Sequence, residues 1–216
     1  MKKIIIMFIA ALILIGAAAC TGNSPAVTTE SGSASAASRT PENTSAPSGG
    51  TESTPASEHK NVLVVVFSAT GTTKGVAEKI AAIENADIYE IKAKQAYTSA
   101  DLNWNDGNSR STKEQNSQSA RPEIGSERIS LEGYERIYIG FPIWWGEEPR
   151  IMDTFVESYD FSGITLIPFC TSSSSGIGRS GKNLTDNAKS GKWLEGRRFP
   201  GNVSESELRN WINGLK

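Results

Sequence analysis

Ser68-Ala69-Thr70-Gly71-Thr72-Thr73-Lys74 places four hydroxyls and one glycine directly ahead of a helical pattern. Free backbone N–H groups and the helix dipole favour an anion at such a position. The hydroxyls add donors, and Gly71 lets a ligand come close to the backbone. That chemistry suits a phosphate cradle formed by Ser68, Thr70, Gly71, Thr72 and Thr73. Gly-Lys-Ser/Thr is absent in the register of a Walker A loop. A capped strand–helix turn also uses Ser and Thr, and the loop alone does not separate the two.

A second loop, Gly140-Phe141-Pro142-Ile143-Trp144-Trp145-Gly146, sets two adjacent indoles between Pro and Gly. One is expected to pack inward and the other to offer its face to a ligand ring; burial of both, or a protein interface, is the alternative. A third loop, Thr171-Ser172-Ser173-Ser174-Ser175-Gly176-Ile177-Gly178, is rich in hydrogen-bond donors. Its tail, residues 176–181, satisfies G-x-G-x-x-G. The dinucleotide fingerprint, however, needs a tight turn straight off the strand, and here several residues intervene.

Composition removes other chemistries. The chain has one His and two Cys, too few ligands for a zinc-type site. His59 precedes the folded region, so no histidine is left as the base of a hydrolase. The catalytic and metal-ligand sets are therefore expected to be empty. With 22 Lys and Arg against 24 Asp and Glu, the chain lacks the clustered positive charge that nucleic acid requires.

The elements that would carry these loops follow from periodicity. Val62 to Phe67 is a continuous β-branched and aromatic run, as in a strand buried on both faces of a parallel sheet. Val76, Ile80 and Ile83, with Ala77 and Ala81, recur at helical spacing. Ile88–Ile91, Arg136–Phe141 and Ile164–Phe169 read as further strands. Pro149 opens a helix with Ile151, Met152, Phe155 and Val156 on one face. Another helix is expected over about 179–189, and Trp193 to Phe199 should hold the last strand. In the final helix Ser204 and Glu207 can form a capping box, with Val203 and Leu208 as its staple. Alternating β and α elements imply a parallel sheet covered on both faces. In such a sheet, ligands sit beyond the carboxyl ends of the strands, which is where the three loops converge. Lys92 to Ser130 is a long polar insert between the second and third strands, and loops of that length are functional or disordered.

Together these features resemble the flavodoxin family. The resemblance spans nearly all of residues 61–216. It is carried by Ser-Ala-Thr-Gly-Thr-Thr at 68–73, Pro-Ile-Trp-Trp-Gly at 142–146 and Trp-Leu-Glu-Gly-Arg-Arg at 193–198. The insert, from Tyr97 to Arg121-Pro122 with Ser109-Arg110-Ser111, is similar too, which favours an ordered flap. The resemblance implies a doubly wound five-stranded parallel α/β sheet of order 2-1-3-4-5 and the cofactor FMN. Ser68, Thr70, Gly71, Thr72 and Thr73 would hold the phosphate. Pro142, Ile143, Trp144, Trp145 and Gly146 would line the isoalloxazine, bordered on its other side by Thr171, Ser172, Ser173, Gly176 and Gly178. The 171–178 loop has no aromatic where many flavodoxins stack a Tyr, which would leave the ring open to a substrate or partner. Stacking on Trp144 or Trp145, with Glu147 and Glu148 nearby, should disfavour an anionic reduced flavin and lower its potential. The implied function is electron transfer with redox partner proteins. Alternatives are an FMN-dependent reductase of quinones or similar small acceptors, and a non-redox ligand-binding lipoprotein.

The amino-terminal region reads as targeting and tether. Met1-Lys2-Lys3 is basic, and Ile4 to Ala19 is an apolar run of sixteen residues. That is short for a bilayer span of about twenty and fits a signal-peptide core. Ala17-Ala18-Ala19-Cys20 resembles a bacterial lipobox, with Ala17 where Leu is usual. Residues 1–20 are thus expected to give a chain lipidated at Cys20 on the outer face of the cytoplasmic membrane; a secreted protein is the alternative. Loss of Lys2 and Lys3 would leave 20 basic and 24 acidic side chains, a formal charge of −4. Residues 21–60 are mostly Ser, Thr, Ala, Pro, Gly and Glu, with Val27 as the one large apolar side chain, so they lack the apolar surface to offset ordering entropy. A flexible coil of that length has an r.m.s. reach on the order of 35 Å.

Overall fold

Val62–Phe67 forms strand β1, and all six of its side chains are buried. In the computed structural model, which describes residues 61–215, it is an inner strand of the sheet, paired on both sides. The expected signal, the lipidated Cys20 and the linker lie outside the described residues. Strands β2 (Asp87–Ile91) and β3 (Arg136–Pro142) flank β1 in parallel, so Val64 stands between Ile88 and Tyr138. Strand β4 (Thr165–Thr171) pairs in parallel with the far side of β3. Beyond it lie β5 (Lys192–Trp193) and β6 (Arg197–Phe199), both pairing with β4. The order is 2-1-3-4-5, with the fifth position shared by two short strands.

The run expected as one strand from Trp193 to Phe199 is therefore interrupted at residues 194–196. Pro168 supplies the reason. Leu166 accepts from the Leu194 N–H at 2.9 Å, so alternate β4 residues turn their backbone groups to this side. Pro168, two residues on, has no N–H to continue the ladder.

Among the described residues there are five helices: α1 (Thr72–Glu84), α2 (Arg110–Gln115), α3 (Arg150–Glu157), α4 (Ser180–Asn187) and α5 (Glu205–Asn213). The alternation of β1 divides the core. Leu63, Val65 and Phe67 join Ile151, Phe155 and Leu184 on the α3/α4 face. Val62, Val64 and Val66 join Val76, Ile80, Leu208 and Trp211 on the α1/α5 face. Burying each such side chain stabilises the fold by roughly 1.5–3 kcal/mol. At the start of α5 the Ser204 hydroxyl accepts from the Glu207 N–H at 3.2 Å. Only half of the capping box forms, because the Glu207 carboxylate turns to Arg197 at 3.3 Å. Val203 and Leu208 are both buried as the expected staple.

The insert is ordered. Its base closes through an antiparallel bridge between Ala93 and Ile124, with Lys94 N–H donating to Glu123 at 2.9 Å and Gly125 N–H to Lys92 at 2.7 Å. Arg121 grips Glu157 of α3 with two bonds of 2.9 and 2.6 Å. Helix α2, whose first N–H groups are capped by Ser109, then lies against the loop that follows β3.

Candidate functional site

Strand β1 ends at Phe67, and the chain turns through 68–71 into α1. Gly71 is the N-cap residue at φ 85°, a left-handed conformation in which a Cβ would be strained. Its lack of a side chain leaves the cap unmade and the first-turn N–H groups pointing outward. No acidic residue occupies that turn, so the positive end of the helix dipole is uncompensated. The Thr70 and Thr72 hydroxyls are exposed and 3.4 Å apart. The Ser68 hydroxyl is buried and lacks a partner, which is costly unless a ligand supplies one. Thr73 differs from these. It is buried, and its hydroxyl shares a 2.8 Å hydrogen bond with that of Thr171 at the end of β4, tying the loop to the sheet.

After β3 the two indoles take separate roles. Trp144 turns inward, edge-on to Phe67 at 5.6 Å and to Tyr97 at 5.2 Å between ring centroids. Trp145 is 43 % exposed. The Trp144 N–H donates to the Glu147 carbonyl at 2.9 Å, and the Glu147 N–H returns to Trp144 at 3.1 Å. Between them Trp145 and Gly146 have φ of 49° and 84°, the signature of a two-residue type I′ turn. A bulky side chain at positive φ is strained by about 1–3 kcal/mol. Such strain at the edge of a cavity is a functional signal that periodicity does not carry.

These elements enclose a cavity of about 440 Å³, within the usual size range for a small-molecule site. Ser68, Thr70, Thr72 and Thr73 line one part of it, and Pro142, Ile143, Trp144, Trp145 and Gly146 another. From the loop after β4 only Ser175 reaches the wall. Thr171, Ser172, Ser173, Gly176 and Gly178 instead shape that loop. Ser172 donates its hydroxyl to the Ser175 carbonyl, and Arg198 donates to the Ser172 carbonyl at 2.6 Å and to Ser173. A Cβ on Gly178 would come within 2.9 Å of the Gly146 carbonyl oxygen, so the two loops touch there. Arg198 was legible only as part of the Trp-Leu-Glu-Gly-Arg-Arg string, which assigns it no role.

The insert contributes what sequence reasoning missed: Leu102, Trp104 and Ser111 also line the cavity. Their placement depends on a cluster that docks the insert. The Tyr97 hydroxyl donates to Glu114 at 2.6 Å, and the Arg110 guanidinium lies 4.0 Å over the Tyr97 ring. Burial, together with the bond to Glu114, pushes the Tyr97 phenol up, so it stays neutral.

Glu147 and Glu148 are not where the sequence placed them electrostatically. Glu147 pairs with Arg150 at 2.8 Å. Glu148 is fully buried and faces a second, polar cavity of about 240 Å³ with Arg150, Asp153 and Asn183. Burial, reinforced by Asp153, pushes its carboxyl up to about 7 against the bond from Asn183. Neither residue lines the 440 Å³ cavity, and among the described residues no charged side chain does. The expectation that these two glutamates lower a flavin's potential is corrected accordingly. Cys170 is also inert as a nucleophile, since burial pushes its thiol up to about 12.

The family model described as flavodoxin matches residues 61–215, the whole of the described fold. The chain belongs to the flavodoxin family. Two solved structures support this flavodoxin assignment at the level of sequence as well as fold. A candidate flavoprotein from Bacteroides eggerthii is 42 % identical, with a TM-score of 0.68, covering 72 % of this chain and 97 % of its own. Another from Bacteroides uniformis is 44 % identical, with a TM-score of 0.68, covering 71 % and 97 %. A flavoprotein from Lactobacillus acidophilus, solved in complex with FMN, shares the fold at 23 % identity and a TM-score of 0.54, covering 71 % and 99 %. No curated protein matches the chain.

Proposed function

We propose that this flavodoxin-family protein binds FMN and carries electrons at the bacterial cell envelope. One observation carries the reading: an uncapped helix N-terminus rich in hydroxyls and a strained indole hairpin line the same uncharged cavity. The residues present fit the cofactor. The Ser68 hydroxyl is a buried donor in want of an acceptor, Gly71 leaves its surroundings open to close approach, and Trp145 presents apolar surface. The Lactobacillus acidophilus flavoprotein holds FMN in the same fold.

Bound FMN would supply reversible one- and two-electron transfer. The chain's own part is binding and insulation. First-turn N–H groups of α1, with Ser68, Thr70 and Thr72, would neutralise the phosphate without a cation. Trp144 would buttress the hairpin while Trp145 and Ile143 keep water from the ring. Among the described residues the cavity's polar side chains are the hydroxyls of Ser68, Thr70, Thr72, Thr73, Ser111 and Ser175 and the indole N–H groups, which bind and orient rather than exchange protons near neutral pH. The test is direct. The full chain, expressed and purified, should be yellow and should release FMN on denaturation. Absence of saturable quenching of tryptophan fluorescence during FMN titration would overturn the proposal.

A reductase of small planar acceptors is the second reading, favoured by the absence of an aromatic from the loop after β4. Turnover of a quinone with a nicotinamide donor selects it; exchange with protein partners alone selects the carrier. The lipobox-like Ala17–Cys20 and the Ser/Thr/Pro-rich 21–60 segment support a membrane tether through lipid at Cys20.

A further inference from the structure

Among the described residues three large apolar side chains are exposed: Ile88, Trp104 and Trp145. Two of the three line the 440 Å³ cavity. Trp104 is 72 % exposed, so it contributes little to the core. Its backbone, however, is held by a dense set of turns. Asn103 N–H donates to Ala100 at 3.2 Å, Asp106 N–H to Asn103 at 3.1 Å and Ser109 N–H to Asp106 at 3.0 Å. The Asn103 side chain accepts from Asn105 N–H at 3.1 Å. Ser111, itself a lining residue, donates its N–H at 3.0 Å and its hydroxyl at 2.6 Å to the Asp101 carbonyl. An indole kept in water on a firmly hydrogen-bonded turn, beside a cavity whose other aromatic lining is Trp144 and Trp145, is preorganised for a flat ligand.

We propose that Trp104 is an aromatic contact for the isoalloxazine ring, so that the insert supplies the wall that the loop after β4 lacks. This rests on the FMN reading above. The loop after β4 brings Ser175 alone to the cavity and carries no aromatic between residues 171 and 178. Leu102, two residues before Trp104, adds apolar surface on the same wall. A planar ring placed there removes apolar area of both partners from water, and a stacked indole adds sequence-independent affinity for a π-face.

The experiment compares the full chain with its Trp104→Ala and Trp104→Phe variants by titration with FMN and with riboflavin, which lacks the phosphate. Trp104→Ala should weaken both ligands by the same factor, roughly ten-fold or more, and Trp104→Phe should restore most of the loss. The melting temperature without ligand should be the same in all three, because the side chain lies outside the core. The midpoint potential of bound FMN should rise in Trp104→Ala as water reaches the ring. Unchanged affinity of Trp104→Ala, with FMN still bound by the unaltered chain, overturns the role of Trp104 and leaves the FMN reading standing. A lowered melting temperature without ligand, or no rescue by Phe, also overturns it. Failure of the unaltered chain to bind either ligand overturns the FMN reading itself.

Discussion

The side-chain amide of Gln115 donates to the carbonyl oxygen of Trp144 at 3.0 Å and to that of Glu148 at 3.1 Å. A single buried side chain on α2 thus holds both ends of the Trp145–Gly146 turn and joins the insert to the candidate site. Gln115→Leu removes both bonds; the Trp144 carbonyl keeps the Glu147 N–H at 3.1 Å, while the buried Glu148 carbonyl loses its donor, which costs about 1–3 kcal/mol. The melting temperature should fall accordingly, and FMN affinity should fall with it because the hairpin loses its support. Thermal denaturation with and without FMN measures both.

Trp145 allows strain to be separated from stacking. Trp145→Ala and Trp145→Gly both delete the indole, but only Gly accepts φ near 49° without penalty. Without ligand, the Gly variant should be more stable than the Ala variant by about 1 kcal/mol. Both should bind FMN more weakly than the unaltered chain. Equal stability of the two would contradict the left-handed turn.

Ser68 tests the phosphate end. Its hydroxyl has no partner, so Ser68→Ala should leave stability without ligand unchanged or slightly higher. Loss of a hydrogen bond to a charged phosphate should weaken FMN by about 1.5–3 kcal/mol. Riboflavin affinity should not change. Isothermal titration with the two ligands decides the matter, and an equal loss for both would move Ser68 away from the phosphate.

Glu148 makes stability depend on pH. Its folded-state value, about 7, lies above the ordinary carboxylate value of 4.5. Below both values the group is protonated in either state and contributes nothing. As pH rises from the lower value through about 7, the unfolded chain ionises first, so stability falls and then levels off. Glu148→Gln keeps an acceptor for Asn183 while removing the titration. Its stability relative to the unaltered chain should therefore rise between pH 5 and 8, read as the difference in denaturant midpoint. A pH-independent difference would refute the assignment.

Cys20 tests the tether. In a bacterial host fed a labelled fatty acid, the unaltered chain should incorporate label and partition with membranes. Cys20→Ala should do neither. Labelling of the variant would place the lipid elsewhere.

The sequence by itself determined the sheet, because an apolar run such as Val62–Phe67 with no polar alternation can be buried only between two helical layers. It also determined that residues 68–71 and the indole pair stand at one edge of the sheet, since a loop directly after a strand inherits its position from that strand. That one indole would pack inward was legible, but not which one: Trp144 turns inward because Phe67 and Tyr97, distant in sequence, offer their ring edges. The break between β5 and β6 follows from Pro168 facing that side of β4, a matter of strand parity across the sheet. The insert was the least legible region, since its polar composition records no period. Trp104 reaches the cavity only because Tyr97, Arg121 and Gln115 find partners on α2, α3 and the hairpin. Those are side-chain contacts between segments far apart in the chain, and local spacing carries no information about them.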